Sequence, residues 1–195
     1  MVMNKLLNAF PLVLAGALIA YSCSQKGDRT ASQNSQTSSN AVPPTSEVWK
    51  IAQTRDAIHD GDTMRLTNGS EELKVRFCGI DAPELKQQMG IAARDYLRSL
   101  VKQGGGQIYV VPIEKDRYGR TVAELFVPAK GKDDDIFLNG EMVRAGMAYH
   151  YQRYSGNCPN KNAIAVAEEM AKSAKAGVWR DPNSQKPWDW RKNNR

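Results

Sequence analysis

Charged side chains are nearly absent from the start of the chain, where Lys5 is the single one among the first 23 residues. Residues 6–21 form an almost unbroken apolar run of about 16 residues, shorter than the roughly 20 that a membrane-spanning helix needs. A basic residue followed by a short apolar run that ends in small residues is typical of an export signal. We therefore predict that residues 1–23 direct export and do not form a permanent transmembrane anchor.

The export signal ends in Ala20-Tyr21-Ser22-Cys23, which is similar to a bacterial lipobox, although Ala20 stands where leucine is usual. In that motif the cysteine after the cleavage site becomes the lipidated N-terminus. Two interpretations stay open. Lipidation of Cys23 would anchor the protein to a membrane of the cell envelope or periplasm, whereas ordinary signal-peptidase cleavage would leave it secreted.

Cysteine is scarce, with three residues in the whole chain. After Cys23 only Cys78 and Cys158 remain, and an oxidising compartment lets an even pair form a disulfide. The alternative is two unpaired buried thiols, which behave as small apolar side chains.

Apolar side chains are also scarce between residues 24 and 47, a stretch of Ser, Gln, Asn, Thr and Pro. Such a segment buries too little surface to offset its ordering entropy, which predicts a disordered linker. The 195 residues suffice for one domain and are few for two. We place that domain at residues 48–191, followed by a basic tail at 192–195. The net charge of +6 weakly favours anionic partners.

The pattern of the domain predicts strands first and helices later. Alternation in residues 73–79 places Arg76 on the face opposite Val75 and Phe77, away from the core. An α+β fold, a small five-stranded barrel with helices packed on it, accounts for this order. The predicted strands are 48–58, 63–66, 73–79, 108–114 and 120–127, and the predicted helices are 83–101, 139–145 and 163–176.

Three short polar segments stand out: Asp-Gly-Asp-Thr at 60–63, Asp-Ala-Pro-Glu at 81–84 and Asp-Arg-Tyr-Gly-Arg at 116–120. Each has a structural interpretation when taken alone. The first and third suit turns, and Asp81 with Glu84 suits a capping box at the start of a helix.

Taken together, the three segments indicate a phosphodiester-cleaving site. Asp62 and Asp81 offer hard oxygen ligands for a divalent cation. Arg76 and Arg120 offer planar cations matched to phosphate oxygens, and Glu84 offers a carboxylate that can accept a proton from water.

These three motifs in this order resemble the thermonuclease (staphylococcal nuclease) family. Leu-Asn-Gly-Glu-Met-Val-Arg-Ala-Gly-Met-Ala-Tyr at 138–149, Gly-Val-Trp at 177–179 and Pro-Trp-Asp-Trp-Arg at 187–191 fit the family too. The resemblance covers residues 48–191. It implies an OB-fold barrel with three helices that hydrolyses DNA and RNA to 3′-phosphate products with calcium.

The family's site residues map onto this chain one by one. The resemblance assigns the calcium carboxylates to Asp62 and Asp81. Ala82 replaces a threonine that binds the metal through its backbone carbonyl, which alanine also provides. Arg76 and Arg120 match the phosphate-binding arginines.

The resemblance makes Glu84 the proposed general base, although a role in ordering water and loop stays open. The family's nucleotide-flanking tyrosines have counterparts among Tyr149, Tyr151 and Tyr154, in an ambiguous register. Tyr118 is a candidate for base stacking or, alternatively, for core packing. We interpret the tryptophans at 179, 188 and 190 as residues that pin the C-terminal segment, and we give the basic end from Arg191 no role.

An OB barrel presents a groove suited to single strands. We therefore expect DNA and RNA, preferably single-stranded, as partners, no protein partner and a monomer. A non-catalytic nucleic-acid-binding module or an envelope lipoprotein scaffold is the alternative. The presence of all five chemistry-bearing residues favours the enzyme.

Overall fold

Eight strands and four α-helices make up the part of the chain that the computed structural model describes, residues 46–131 and 135–194. The predicted export signal, Cys23 and the linker up to residue 45 lie outside these residues. The strands are β1 Glu47–Ile51, β2 Thr63–Thr67, β3 Glu72–Phe77, β4 Ile80–Asp81, β5 Gln107–Lys115, β6 Thr121–Val127, β7 Ile136–Phe137 and β8 Tyr149–His150. The helices are α1 Gly90–Gln103, α2 Leu138–Arg144, α3 Lys161–Ser173 and α4 Pro187–Asn193.

Five strands close into a barrel in the order β3-β2-β1-β5-β6, and the parallel pairing of β3 with β6 completes the ring. The strand β7 adds to β6 outside the ring, and β4 pairs with β8 in a separate two-stranded ladder. The predicted α+β fold with a five-stranded OB-type barrel is confirmed. In the described part of the chain, no helix has both the length and the apolar character needed to cross a bilayer.

Side-chain alternation along β3 separates the core from the site. Val75 and Phe77 are buried in the barrel, together with Met64 and Leu66 of the neighbouring β2. Arg76 points to the other face, because successive side chains of a strand alternate. The pairing of Thr63 with Arg76 brings the start of β2 beside this arginine.

The turn between β3 and β4 places Asp81 near Arg76. Gly79 adopts a left-handed conformation with φ of 73°, which glycine reaches without a Cβ penalty. A Cβ at this position would also lie 3.0 Å from the Sγ of Cys158. Gly79 therefore allows both the sharp reversal and the close packing beneath it.

The first helix differs from its prediction. It begins at Gly90, after Met89 in a left-handed conformation, and not at residue 83. Asp81 lies in β4 and pairs with Tyr149, so the capping box of Asp81 and Glu84 does not form. Residues 82–89 instead form turns, and a Cβ at Gly90 would collide with the carbonyl oxygen of Glu84.

Further elements differ from the sequence prediction: β1 ends at Ile51 and not at residue 58, and the short strands β4, β7 and β8 are additional to the predicted five. Asn139, the first residue of the predicted helix 139–145, can cap such a helix, but it lies inside α2; its buried amide accepts the N–H of Leu125 and donates to the carbonyl of Cys78. A fourth helix, α4, exists in addition to the predicted three and extends to Asn193, so it includes the first residues of the predicted basic tail.

A disulfide joins Cys78, directly after β3, to Cys158, just before α3, with the two Cα atoms 5.9 Å apart. It links the barrel to the segment that leads into α3. Both cysteines are buried, so the bond is protected from solvent in the folded protein.

Replacing both cysteines, Cys78→Ala with Cys158→Ala, is expected to lower the free energy of unfolding by about 4 kcal/mol. The bond spans 80 residues of sequence and therefore restricts a large loop of the unfolded chain. Denaturant unfolding measures the loss, and dithiothreitol should destabilise the wild type but not the double variant. Two free thiols in the unreduced, unfolded wild type would contradict the bond.

Candidate active site

One cavity of about 920 Å³ opens on the barrel where β2, β3 and the β5–β6 turn meet. Four of the five residues predicted to carry the chemistry line it, and the fifth, Asp81, lies against two of its lining arginines. The site residues predicted from distant parts of the sequence thus gather at one place. The four lining residues are Asp62, Arg76, Glu84 and Arg120.

Asp62 is held rigidly at the start of β2, where it is 2% exposed. Its backbone N–H donates to the Oδ1 of Asp60 at 3.0 Å, so the turn interpretation of this motif also holds. Its Oδ2 accepts the N–H of Ala82 at 2.6 Å, and its Oδ1 contacts the guanidinium of Arg76. Turn formation and site formation therefore coexist in one segment.

Arg76 joins the two buried aspartates. Besides its contact with Asp62, its Nη2 donates to the Oδ1 of Asp81 at 2.7 Å and to the carbonyl of Ile80 at 3.1 Å. Asp81 is fully buried. A charge-assisted hydrogen bond of this length is among the stronger ones in proteins, so the three side chains form one preorganised unit.

The donor set fits a hard cation. The Ala82 N–H donates to Asp62, and Arg76 contacts both Asp62 and Asp81, so the two carboxylates and the backbone of Ala82 lie close together. All three offer oxygen, the ligand type that calcium prefers. Within the described residues, no group of three or more His, Cys, Asp or Glu side chains forms a metal cluster. Water and substrate oxygens would therefore have to complete the coordination.

Arg120 lines the same cavity, but its ion pair is with Asp116 and not with the two aspartates. Its Nε donates to the Oδ2 of Asp116 at 2.7 Å, and the Oδ1 of Asp116 accepts the backbone N–H groups of Tyr118 and Arg120. Although burial raises the pKa of Asp116, the hydrogen bonds from Arg120 and Tyr118 outweigh it and lower that pKa. Asp116 thus orients both the turn and the arginine.

Glu84 contacts a residue that the sequence did not single out. Arg191 in α4 donates to the Oε1 of Glu84 at 2.8 Å and to both carboxylate oxygens of Asp81, at 3.1 and 2.7 Å. Burial lowers the pKa of Arg191, but the hydrogen bonds to Asp81 and Glu84 outweigh it and raise that pKa. The signal for this contact in the sequence is the place of Arg191 at the end of Pro-Trp-Asp-Trp-Arg, one of the segments that carry the resemblance.

The predicted tyrosines separate into buried and accessible ones. Tyr149 is 2% exposed, donates its hydroxyl hydrogen to Ser184 and does not line the cavity, so it is a packing residue in the structure. Tyr151 and Tyr154 both line the cavity. Tyr118 is 69% exposed, which excludes the core-packing alternative.

Trp188 also lines the cavity, whereas the sequence predicts only a packing role for the tryptophans. Its ring stacks on Tyr151 with centroids 4.8 Å apart and an angle of 4° between the planes. Trp179 contacts Tyr149 edge-on, as a packing residue would. One tryptophan thus packs beneath the site and another forms part of its wall.

A closed OB-type barrel with carboxylates and several guanidinium groups around one open cavity defines a class of enzyme that cleaves phosphate esters. Comparison with known sequences identifies the family within that class. Residues 74–181 match the model of the staphylococcal nuclease homologue family. The chain belongs to the staphylococcal nuclease family and is a nuclease.

Several relatives carry nuclease names. A micrococcal nuclease of Shigella flexneri is 37% identical over 138 residues, which cover 69% of this chain and 77% of the relative. An uncharacterized endonuclease of Escherichia coli O157:H7 is 34% identical over 132 residues, covering 68% and 79%. The staphylococcal-like nuclease CAN1 of Arabidopsis thaliana is 33% identical over 126 residues, covering 65% of this chain and 35% of that protein.

Proposed function

We propose that the protein hydrolyses phosphodiester bonds of DNA and RNA in a calcium-dependent reaction, with water as the nucleophile and 3′-phosphate products. The observation that carries this proposal is the joining of Asp62 and Asp81 by Arg76 beside the carboxylate of Glu84. Asp62, Asp81 and the Ala82 carbonyl would hold Ca²⁺, which when bound polarises the phosphate and neutralises its developing charge.

The arginines bind and stabilise the phosphate in this proposal. Arg76 contacts the two aspartates, and Arg120 lines the same cavity and is oriented by its ion pair with Asp116. Each guanidinium presents a planar fork that matches two phosphate oxygens. Preorganised cations of this kind stabilise the transition state because they need not reorganise as charge develops.

Glu84 accepts the proton from the attacking water in the proposed reaction. Its side chain is 30% exposed, so water reaches it, and Arg191 holds one of its oxygens. A general base must lie within hydrogen-bond reach of the proton that it removes. The position of Glu84 on the wall of the cavity supports this role.

A single strand fits the cavity better than a duplex in this proposal. Tyr118 is exposed at one side, and the stacked pair of Tyr151 and Trp188 forms another wall. Aromatic faces of this kind stack on unpaired bases whatever their sequence. Arg117 lies over the ring of Tyr118 with its Cζ 4.8 Å from the centroid, which adds a cation beside that face.

We further propose that the nuclease is exported as a monomer and anchored by lipid at Cys23, with residues 24–47 as a spacer. The charge pattern of residues 1–23 supports export. The disulfide between Cys78 and Cys158 is compatible with an oxidising compartment. Labelling of the expressed protein with radioactive palmitate tests the anchor, and a Cys23→Ser variant should take up no label.

Chelation of calcium is expected to lower the rate at which single-stranded DNA and RNA are cleaved by at least about 100-fold, because a bound cation contributes several kcal/mol to charge stabilisation. The purified protein is assayed with Ca²⁺, with EGTA, and with EGTA followed by excess Ca²⁺. The product 3′ ends should block polymerase extension until a phosphatase removes the phosphate. Cleavage unaffected by EGTA would contradict calcium dependence, and binding without cleavage would favour a non-catalytic nucleic-acid-binding module.

A further inference from the structure

The C-terminal helix α4, Pro187–Asn193, lies beyond the residues 74–181 that match the family model, yet it reaches the active site. We propose that Arg191 of α4 is a positioning residue of the nuclease, which fixes the Glu84 carboxylate against Asp81. The inference rests on the proposed function, because it gives Glu84 a role in the reaction.

Arg191 forms a bridge between two carboxylates. Its Nη2 and Nη1 donate to the two oxygens of Asp81 at 2.7 and 3.1 Å, and Nη1 also donates to Glu84 at 2.8 Å. The fork of a guanidinium matches the two oxygens of a carboxylate, which fixes direction as well as distance. Asp81 is fully buried and also bonded to Arg76, so the bridge ties the position of Glu84 to that of Asp81.

The Glu84 carboxylate has little else to hold it. Glu84 lies in the turns of residues 82–89 and not in a helix or strand. In the described part of the chain its one ion pair is with Arg191. A shift of about 1 Å in a catalytic group can cost about 100-fold in rate, so this contact bears directly on the reaction.

The helix α4 is itself held at several points near Glu84. Gln87 accepts the backbone N–H of Glu84 through its Oε1 and donates through its Nε2 to the carbonyl of Gln185, just before α4. Trp188 stacks on Tyr151. The loop that carries Glu84 and the helix that carries Arg191 therefore form one connected unit.

The formal charges of the cluster around Arg191 do not sum to zero. Three carboxylates, from Asp62, Asp81 and Glu84, contact two guanidinium groups, from Arg76 and Arg191. One negative charge remains in the cluster, so the pairing with Arg191 does not neutralise it.

The test compares Arg191→Gln and Arg191→Lys with the wild type on single-stranded DNA in Ca²⁺. We expect Arg191→Gln to lower kcat about 10- to 100-fold and to leave KM within about threefold, since positioning affects the chemical step. Arg191→Lys should recover part of kcat, because one ammonium can contact Glu84 or Asp81. Calcium affinity, measured by isothermal titration calorimetry, should not fall in Arg191→Gln, because both aspartates remain and the formal charge of the cluster changes from −1 to −2. Arg144→Gln, at an arginine that bonds Glu141 on α2 and does not line the cavity, is the matched control and should keep kcat.

A double-mutant cycle separates positioning from a structural role. Adding Arg191→Gln to Glu84→Gln should lower kcat little further, because the group to be positioned is already lost. Adding it to Arg120→Ala should multiply the two losses. The inference is overturned if the losses from Arg191→Gln and Glu84→Gln multiply fully in the double variant. It is also overturned if activity rises when Arg191 is removed, because Arg191 would then be autoinhibitory.

Two further outcomes are decided by the same measurements. If Arg191→Gln does not fold, Arg191→Lys replaces it in the double-mutant cycle. If the folded Arg191→Lys variant has the kcat and the pH dependence of the wild type, the guanidinium fork is not required. A wild type that cleaves nothing refutes the proposed function. An active wild type with fully active Arg191 variants refutes this inference alone.

Discussion

Arg76→Ala is expected to lower kcat/KM on single-stranded DNA by about 10³-fold, since removing one preorganised donor to transition-state charge costs roughly 10²–10³ and this arginine also organises both aspartates. The measurement is steady-state hydrolysis at saturating Ca²⁺, corrected for the folded fraction. Arg76→Lys restores the charge but not the fork, so it should recover a small part of the loss. A variant within tenfold of the wild type would refute the role.

The same substitution should also destabilise the fold. Arg76 joins Asp62 and Asp81, which are 2% and 0% exposed. Breaking a buried ion pair by removing one partner costs about 3–5 kcal/mol, because the remaining charge is left without compensation. Denaturant unfolding measures this loss, and Ca²⁺ should reverse part of it if the two aspartates bind the cation.

Arg120→Ala is expected to separate the loss of activity from the loss of stability that removing an arginine causes. Its partner Asp116 is more exposed, at 18% of its side-chain surface, and keeps two backbone N–H donors. We therefore expect a large loss of activity with a loss of stability below about 1 kcal/mol. Arg144→Ala, which removes an ion pair with Glu141 on α2, is the control and should change neither strongly.

Local patterns were sufficient to predict the barrel and one wall of its site. The alternation of residues 73–77 predicts a strand with Arg76 outside the core, and β3 has this arrangement. Asn68-Gly69 predicts a hairpin, and β2 pairs with β3 across it. These features depend on neighbours in sequence, so sequence patterns carry them.

The start of α1 could not be predicted from local patterns. Asp81 followed three residues later by Glu84 is typical of a capping box, but the Asp81 carboxylate is taken by Arg76 and Arg191. Arg191 lies 110 residues away in the sequence. A tertiary ion pair thus replaces a local cap, and the helix begins at Gly90.

The roles of the aromatic residues depended on burial, which their spacing does not reveal. Tyr149 and Tyr151 are two residues apart at β8, and the alternation of a strand would place both on one face. The strand ends at His150, however, and the chain turns, so Tyr149 packs on Trp179 while Tyr151 reaches the cavity. Trp188 reaches it through α4, a helix absent from the prediction.

Glu84→Gln is expected to lower kcat by about 10²–10⁴-fold, the usual contribution of a positioned general base. The substitution preserves shape, and the amide oxygen can still accept the hydrogen bond that Arg191 donates at 2.8 Å. Calcium affinity and the melting temperature should therefore change little, because Asp62, Asp81 and their arginine are untouched. Single-turnover cleavage at saturating enzyme measures the chemical step without product release.

Glu114→Gln is the matched control for this prediction, since Glu114 is a carboxylate that lines the same cavity but bonds Asn157. It should retain the wild-type rate, which would show that removing negative charge from the cavity is not enough to stop the reaction. If Glu84→Gln keeps a rate within tenfold of the wild type, Glu84 does not accept the proton and instead orders water and the loop. Another group would then accept the proton. Arg191 would still contact Glu84, so its role would be to position the loop that carries Glu84 and not a general base.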